Sequence, residues 1–141
     1  MSFTSLSSMP ARNERVREYA PGSPERASLQ ATLTAMSNGR IELPLVIGGR
    51  PLATSRLETS IMPHRHHHVL AEAHLAGPRE IDLAIEAAKS AWPEWSRTPW
   101  EARARIFLKA ADLVSGPWRD RLNAATMLGQ SKTVYQAEID S

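Results

Sequence analysis

The spacing of apolar residues changes at Gly77-Pro78, and this change constrains the fold more than any other feature of the sequence. Within residues 69–75, apolar side chains recur at every second position, which is typical of a β-strand with one more apolar face. After Pro78 they recur about every 3.6 positions, as on one face of an α-helix. The sequence therefore predicts an α+β chain that is mostly helical, with a small antiparallel strand unit at about residues 43–75 and helices at about residues 78–141.

Turn residues indicate how the strands are connected. The apolar run at residues 43–47 ends at Gly48-Gly49, with Pro51 just beyond, and this predicts a strand that enters a tight hairpin turn. Residues 57–62 are a less regular candidate for a further strand. We expect the candidate to pair with the strand at residues 69–75.

Capping residues predict where two of the helices begin. Ser23 can accept a backbone N–H bond at the start of a helix that should end at Asn38-Gly39. Thr98 and Glu101 have the spacing of a capping box, and a proline at the first helical position is favourable. A second helix should therefore begin at Pro99.

Proline and glycine predict where the helices of the second half end. Pro93 should end the helix that begins at Pro78, and Gly116-Pro117 should end the helix that begins at Pro99. Gly129 should close a helix at residues 118–128. The apolar face expected on the first of these helices consists of Ile81, Ala84, Ile85, Ala88 and Trp92.

The last helix should be capped by Ser131 and reach Asp140. It is followed by no glycine stop, and its apolar face is unfinished at Ser141. We therefore expect residues 16–141 to be an incomplete domain, and residues 1–15 to be a disordered tail.

Composition excludes several classes of protein. Hydrophobic residues make up 42% of the chain and charged residues 23%, and no apolar run approaches the roughly 18 residues that a membrane helix needs. The net charge of +2 is too small to favour nucleic acid as a partner. A cytoplasmic location is the default expectation; the Ser-rich residues 1–12 are only weakly typical of a transit peptide, so the mitochondrial matrix is less favoured.

The sequence contains no cysteine, which excludes disulfides, thiolate metal sites and a cysteine nucleophile. It also lacks the G-x-S-x-G, H-E-x-x-H and G-x-G-x-x-G motifs. Residues 129–133 superficially resemble a phosphate-binding loop, but no glycine directly precedes Lys132 and a helix leads into the segment. A turn between two helices is the favoured interpretation.

Histidines are concentrated in one region of the sequence. In an extended segment His64, His66 and His68 would point the same way, with His67 and His74 nearby. No carboxylate has a ligand-like spacing among them, so a solvated loop is favoured and no metal is predicted. The four tryptophans lie on or beside predicted helices, where filling of a core or an interface is more typical than ligand stacking.

Several stretches of the sequence together resemble one family. They are residues 19–26, 43–49, 62–64, 68–71, 106–113, 116–119 and, above all, 127–140. These stretches closely resemble the front part of the L-glutamate γ-semialdehyde dehydrogenases, also called 1-pyrroline-5-carboxylate dehydrogenases, in the aldehyde dehydrogenase superfamily. The resemblance covers nearly everything after Arg12. The histidine-rich run 65–68 departs from the family pattern.

The resemblance implies an enzyme that oxidises glutamate semialdehyde to glutamate with NAD in proline catabolism. Its nucleophile is a cysteine, and an asparagine amide and a backbone N–H stabilise the oxyanion. All of these groups lie downstream in family members, so the chain would be the outer N-terminal part of a Rossmann-like NAD-binding domain and inactive alone. We therefore expect no catalytic, cofactor-binding or metal-binding residue within it.

The resemblance implies a role for one residue of this chain. Glu138 matches a family carboxylate near the substrate passage, although a packing or surface glutamate is an equally good interpretation of the residue itself. Asp140 cannot share a substrate atom with Glu138, because two positions on a helix point about 160° apart.

Two hypotheses for the whole chain follow. In the first, it is part of a dehydrogenase whose remaining fold covers its helical faces, and the complete enzyme is a homo-oligomer that holds NAD. In the second, it is a free-standing helical interaction module that associates with a full-length dehydrogenase subunit.

Overall fold

The structure is a computed structural model that describes residues 14–140. Its elements in chain order are α1 (Pro24–Asn38), β1 (Ile41–Leu43), β2 (Leu45–Ile47), β3 (Arg50–Leu52), β4 (Leu57–Met62), β5 (Arg65–His74), α2 (Pro78–Trp95), α3 (Trp100–Ser115), α4 (Arg119–Gln130) and α5 (Val134–Asp140). The tail predicted at residues 1–15 lies outside the described residues except for Glu14 and Arg15. The predicted mostly helical α+β class is confirmed.

The longest strand, β5, is the centre of a three-stranded sheet in the order β1-β5-β4. As predicted, β4 pairs with β5, and the two strands are antiparallel. The structure adds a parallel pair, because β1 aligns Ile41 with Ala71. Pro44 lies between β1 and β2, so the apolar run at residues 43–47 is shared between two sheets.

The predicted hairpin is confirmed in β2 and β3. Gly48 and Gly49 both have positive φ angles, 57° and 75°, which only glycine adopts at no steric cost. A two-residue turn of this kind matches the twist of its flanking strands.

A small core lies between α1 and α4. It contains Tyr19, Leu29 and Ala124, with partly buried apolar side chains from α1, α4 and α5 packed around it. The α1 helix begins and ends as predicted, since the Ser23 Oγ accepts the Arg26 N–H at 3.3 Å and Gly39 follows the last residue. This core fixes the helices that carry the candidate site.

The prediction that Pro93 ends α2 is wrong, because the helix continues to Trp95. Proline is unfavourable inside a helix because it lacks an N–H and its ring crowds the preceding turn. Here that cost falls on the last, exposed turn, where Ser96 N–H still bonds the Trp92 carbonyl at 2.8 Å.

The capping box predicted for α3 is also wrong. The helix begins at Trp100, one residue later than expected, with Pro99 at the N-cap and no side-chain cap. The Thr98 hydroxyl instead donates to the Glu94 carbonyl at 3.0 Å, at the end of α2. The end of α3 at Gly116 is as predicted, because a Cβ there would lie 2.8 Å from the Asp112 carbonyl oxygen.

The turn between α4 and α5 differs from the prediction in two ways. α4 continues through Gly129 to Gln130 and ends at Ser131, which has a left-handed backbone with φ 55°. Ser131 therefore does not cap α5. Thr133 does, in a capping box in which its Oγ1 accepts the Gln136 N–H at 3.3 Å and the Gln136 Oε1 accepts the Thr133 N–H at 2.9 Å.

The two longest helices have no covered face within residues 14–140. Neither α2 nor α3 contains a buried residue. Apolar side chains of both helices are open to solvent, among them Trp92 of the predicted α2 face at 67% and Phe107 of α3 at 69% exposure. None of the helices in the described part of the chain has the length and apolarity that a membrane span requires.

Candidate functional site

The candidate residue Glu138 lies on α5, where it is withdrawn from solvent. Its side chain is 1% exposed. α5 packs against α4 through Ala137 and Glu138, the two buried residues of this short helix. A carboxylate in such a place is stable only if it is paired and hydrogen-bonded.

Five donor groups surround the Glu138 carboxylate. Oε1 accepts the backbone N–H of Arg17 at 2.8 Å and a short hydrogen bond from Arg119 Nη2. Oε2 accepts from the Tyr19 hydroxyl at 2.7 Å, from Asn123 Nδ2 at 2.8 Å and from Arg119 Nε at 3.2 Å. A carboxylate has about four lone-pair sites, so both oxygens are fully engaged.

The donors are themselves fixed by further contacts. Arg119 Nη2 also donates to the Arg15 carbonyl at 3.0 Å, and Asn123 Nδ2 to the Tyr19 hydroxyl at 2.9 Å. Asn123 Oδ1 is buried without a hydrogen-bond partner in the described structure. We call Tyr19, Arg119, Asn123 and Glu138 the carboxylate cluster; it connects the segment before α1 with α4 and α5.

The surroundings of Glu138 determine its ionisation. Burial raises the pKa of Glu138, but the hydrogen bonds from Arg119, Arg17, Tyr19 and Asn123 outweigh it and lower the pKa to about 2. Burial, and then the bond to Glu138, raise the pKa of Tyr19. The bond to Glu138 raises the pKa of Arg119. The cluster therefore holds an ion pair and a neutral phenol at neutral pH.

This arrangement limits the chemistry that Glu138 can perform. An anion with a pKa of about 2 does not take up protons near neutral pH. A cleft of about 560 Å³ lies beside the segment before α1, and Glu138 is not among its lining residues. In the described structure the carboxylate thus anchors neighbouring groups and has no free oxygen site for a ligand.

The prediction of a loop is wrong for most of the histidine-rich run, because residues 66–68 lie on strand β5 and His64 lies in the turn before it. His64 Nδ1 lies 2.7 Å from the Ser131 Oγ, in an exposed contact between the β4–β5 turn and the α4–α5 turn. His74 is buried at the end of β5, with Nδ1 2.8 Å from the Thr54 N–H nitrogen and Nε2 2.9 Å from Glu42 Oε1. Within residues 14–140 no three histidine or carboxylate side chains are placed to hold one metal ion.

The glycine-containing turns do not fit a dinucleotide. Gly48-Gly49 connects two strands, and Gly129 lies inside α4, so neither forms the strand, glycine-rich turn and helix that cradle a pyrophosphate. Residues 129–133 form the end of a helix and the turn to the next, as predicted. Neither of these two turns therefore has the geometry of a dinucleotide-binding turn.

Sequence reasoning identified Glu138 but none of its side-chain partners. Arg119 and Asn123 lie four residues apart and so share one face of α4, next to the buried Ala124 and Leu128. An arginine and an asparagine at this spacing beside an apolar stripe are the available signal for a buried polar cluster. No local pattern connects them with Tyr19.

Comparison with known proteins places the chain in a class. The sequence profile described as the aldehyde dehydrogenase family matches residues 53–141. Because this match covers more than half of the chain, the chain belongs to the aldehyde dehydrogenase family.

Within that family, its relatives share one name. The chain is similar to Delta-1-pyrroline-5-carboxylate dehydrogenase from Agaricus bisporus, at 47% identity over 133 residues that cover 94% of this chain and 24% of the relative. It is 45% identical to the mitochondrial Delta-1-pyrroline-5-carboxylate dehydrogenase of Homo sapiens, over 96% of this chain and 24% of the human protein.

The fold of the chain is also similar to that of a solved structure with this enzymatic name. The Delta-pyrroline-5-carboxylate dehydrogenase from Mycobacterium tuberculosis, bound with NAD and cobalamin, superimposes with a TM-score of 0.91 and 46% identity, over 99% of this chain and 26% of that chain. The chain thus spans about a quarter of the length of the relatives that it matches.

Proposed function

We propose that this chain supplies the N-terminal part of an NAD-dependent dehydrogenase that oxidises L-glutamate γ-semialdehyde, the open form of 1-pyrroline-5-carboxylate, to glutamate in proline catabolism. The observation that carries the proposal is the 41–47% identity, over nearly the whole chain, to several relatives with one enzymatic name. One structural relative is described as bound with NAD. NAD would be held by the remainder of the enzyme.

The chain by itself is proposed to be inactive. The chemistry that the resemblance implies uses a cysteine nucleophile, and this sequence contains none. The uncovered apolar sides of α2 and α3 support the same interpretation, because helices of this kind are stable when another layer of the fold covers them. The partner is the rest of the dehydrogenase fold, in an enzyme that we expect to be a homo-oligomer.

Glu138 is proposed to lie near the substrate passage of the complete enzyme. Because its oxygens are engaged by five donors, its contribution would be to fix the wall of that passage and not to ligate the substrate directly. We propose a cytoplasmic location; the relatives named as mitochondrial, including the human one, make the mitochondrial matrix the alternative.

A second candidate function uses the same exposed helices. A free-standing interaction module would bind a full-length dehydrogenase subunit through the apolar side chains of α2 and α3. These side chains are exposed in the described structure, and exposed apolar patches are typical of protein–protein interaction sites. Such a module would associate without completing an active site.

A fusion enzyme tests the proposed function. The 141-residue chain would be joined to the part of the Mycobacterium tuberculosis enzyme that follows the matched quarter. We expect NAD-dependent turnover of glutamate semialdehyde by the fusion and none by the chain alone. A control fusion without the catalytic cysteine of the remainder should be inactive.

The two candidate functions predict different results. A folded fusion that binds NAD but does not turn over glutamate semialdehyde would contradict the dehydrogenase proposal. Capture of an intact full-length subunit by the separate chain, with no gain of activity, would favour the interaction module.

A further inference from the structure

The segment before α1 makes three of the contacts to the buried ion pair of the carboxylate cluster. The Arg17 N–H and the Tyr19 hydroxyl donate to Glu138, and the Arg15 carbonyl accepts from Arg119. Residues 15–19, which we call the arm, lie outside any helix or strand. Two of their backbone polar groups, the Arg17 N–H and the Arg15 carbonyl, are therefore satisfied by the cluster instead of by regular structure.

Tyr19 is the most constrained residue of the arm. It is 4% exposed, and its φ angle of 51° is uncommon for any residue other than glycine. Its carbonyl also accepts from Arg26 Nη1 at 3.3 Å. A strained backbone persists where the surroundings over-determine it, and here the determinants are the apolar core around the ring and the two hydrogen bonds of the hydroxyl.

Helix α5, which carries Glu138, is held in place partly by the carboxylate cluster. A helix of seven residues is marginal by itself, and the contacts of α5 are mainly with α4. Ala137 offers one methyl group to that contact. Val134 packs against the core between α1 and α4, and Glu138 is the buried polar attachment of α5. The arm supplies two of the five donors to Glu138.

We propose that Tyr19 is a positioning residue: its hydroxyl, with the Arg17 N–H, fixes Glu138 and thereby holds α5 against α4. The consequence for catalysis rests on the proposed function, in which α5 borders the substrate passage of the dehydrogenase. A loosened α5 would then weaken substrate binding more than it slows the chemical step.

Hydrogen exchange tests this directly, and the chain contains its own matched control. Tyr19→Phe removes one hydroxyl and keeps the ring in the core. Tyr135→Phe removes the only other tyrosine hydroxyl of the chain. Tyr135 lies on α5 itself, the helix whose exchange is measured, and its side chain is 68% exposed. Exchange of the amides at residues 134–140 would be followed in the full chain, alone and in the fusion enzyme.

We expect Tyr19→Phe to speed exchange of the α5 amides about tenfold, because a buried carboxylate oxygen loses a donor. Tyr135→Phe should change it by less than about twofold. In a Glu138→Gln background the effect of Tyr19→Phe should shrink, because the two residues act through one contact. Equal exchange in the Tyr19→Phe and Tyr135→Phe variants, or unprotected α5 amides in the unmodified fusion, would overturn the proposal.

Kinetics of the fusion separate positioning from a general loss of structure. Tyr19→Phe should raise KM for glutamate semialdehyde several-fold with kcat within about twofold, whereas a merely unfolded fraction lowers the apparent kcat and leaves KM unchanged. A fall in kcat at constant KM would contradict the positioning role. An inactive unmodified fusion would contradict the proposed function, while the exchange measurement would still decide whether Tyr19 holds α5.

Discussion

Glu138 shows how much one buried charge depends on its partners. Its pKa of about 2 lies below the ordinary value of 4.5, so the ionised form contributes stability above pH 4.5 that is lost as the pH falls towards 2. The shift corresponds to a contribution on the order of 3 kcal/mol. Glu138→Gln should remove this acid dependence and, by leaving Arg119 buried without its counter-ion, should destabilise the chain by about 3–5 kcal/mol at pH 7.

Acid titration followed by circular dichroism at low protein concentration measures both effects. Glu86→Gln is the control, because Glu86 pairs with Lys89 on the surface of α2, where both side chains are about 70% exposed. An acid transition that is the same in Glu138→Gln as in the unmodified chain would show that Glu138 does not contribute as described.

His74 is a second residue whose ionisation is coupled to folding. Its bond to Glu42, and then the contact with Thr54, raise the pKa of His74 despite the opposing effect of burial, and Glu72 acts in the same direction. The contribution of His74 to stability is therefore fully present below about pH 6.5 and is lost as the pH rises through the folded pKa. Arg40, just before β1, forms an ion pair with Glu72.

An NMR titration of the five histidines tests this assignment. We expect the His74 ring to titrate above the ordinary histidine value of 6.5, and Glu42→Gln to lower the His74 midpoint. Glu58→Gln, on the exposed strand β4, should leave the midpoint in place. A His74 midpoint below 6.5 would contradict the expected direction.

At the scale of elements, the α4–α5 turn contains a conformational cost that a substitution can relieve. Ser131 has a left-handed backbone, which costs a residue with a Cβ atom about 1 kcal/mol relative to glycine. Ser131→Gly and Ser131→Ala both remove the hydroxyl contact to His64. We therefore expect the glycine variant to be more stable than the alanine variant by about 1 kcal/mol.

Hydrogen exchange at the last turn of α4 reports this difference. Comparing two variants that both lack the hydroxyl isolates the backbone effect from the loss of the side-chain contact. Equal protection in the two variants would show that the turn relaxes out of the left-handed conformation when the hydroxyl is absent.

At the scale of the whole molecule, the uncovered helices determine solution behaviour. Trp92, Phe107 and their neighbours on α2 and α3 form apolar surface of the kind that monomeric proteins rarely leave open. We expect the chain alone to self-associate at micromolar concentration. Ile85→Ser combined with Phe107→Ser should shift it towards the monomer.

Sedimentation over a range of concentrations measures this association. Tyr135→Ser is the control, because Tyr135 is as exposed as Phe107 but lies on α5 and on neither of these helices. A monomeric unmodified chain at high micromolar concentration would mean that the apolar sides of α2 and α3 are covered in some way within the chain itself.

Local chemistry by itself determined the parts of the fold that depend on one or two residues. The hairpin at Gly48-Gly49 needs positive φ angles, the start of α1 needs the Ser23 hydroxyl, and the end of α3 needs a residue without a Cβ atom at Gly116. Each of these is readable from the sequence, because the physical requirement and the residue that meets it are neighbours in the chain. The long resemblance at residues 127–140 also gave the family from the sequence alone.

Tertiary structure decided what depends on residues that are distant in the chain. Pro93 stays inside α2 because it falls on the last exposed turn, and Thr133 instead of Ser131 caps α5 because the end of α4 takes Ser131 into the left-handed region. Glu138 is held ionised by Tyr19, 119 positions away, and by Arg119, 19 positions away. Such partners meet only when α1, α4 and α5 pack together, since no local sequence pattern specifies which buried donors will surround a carboxylate.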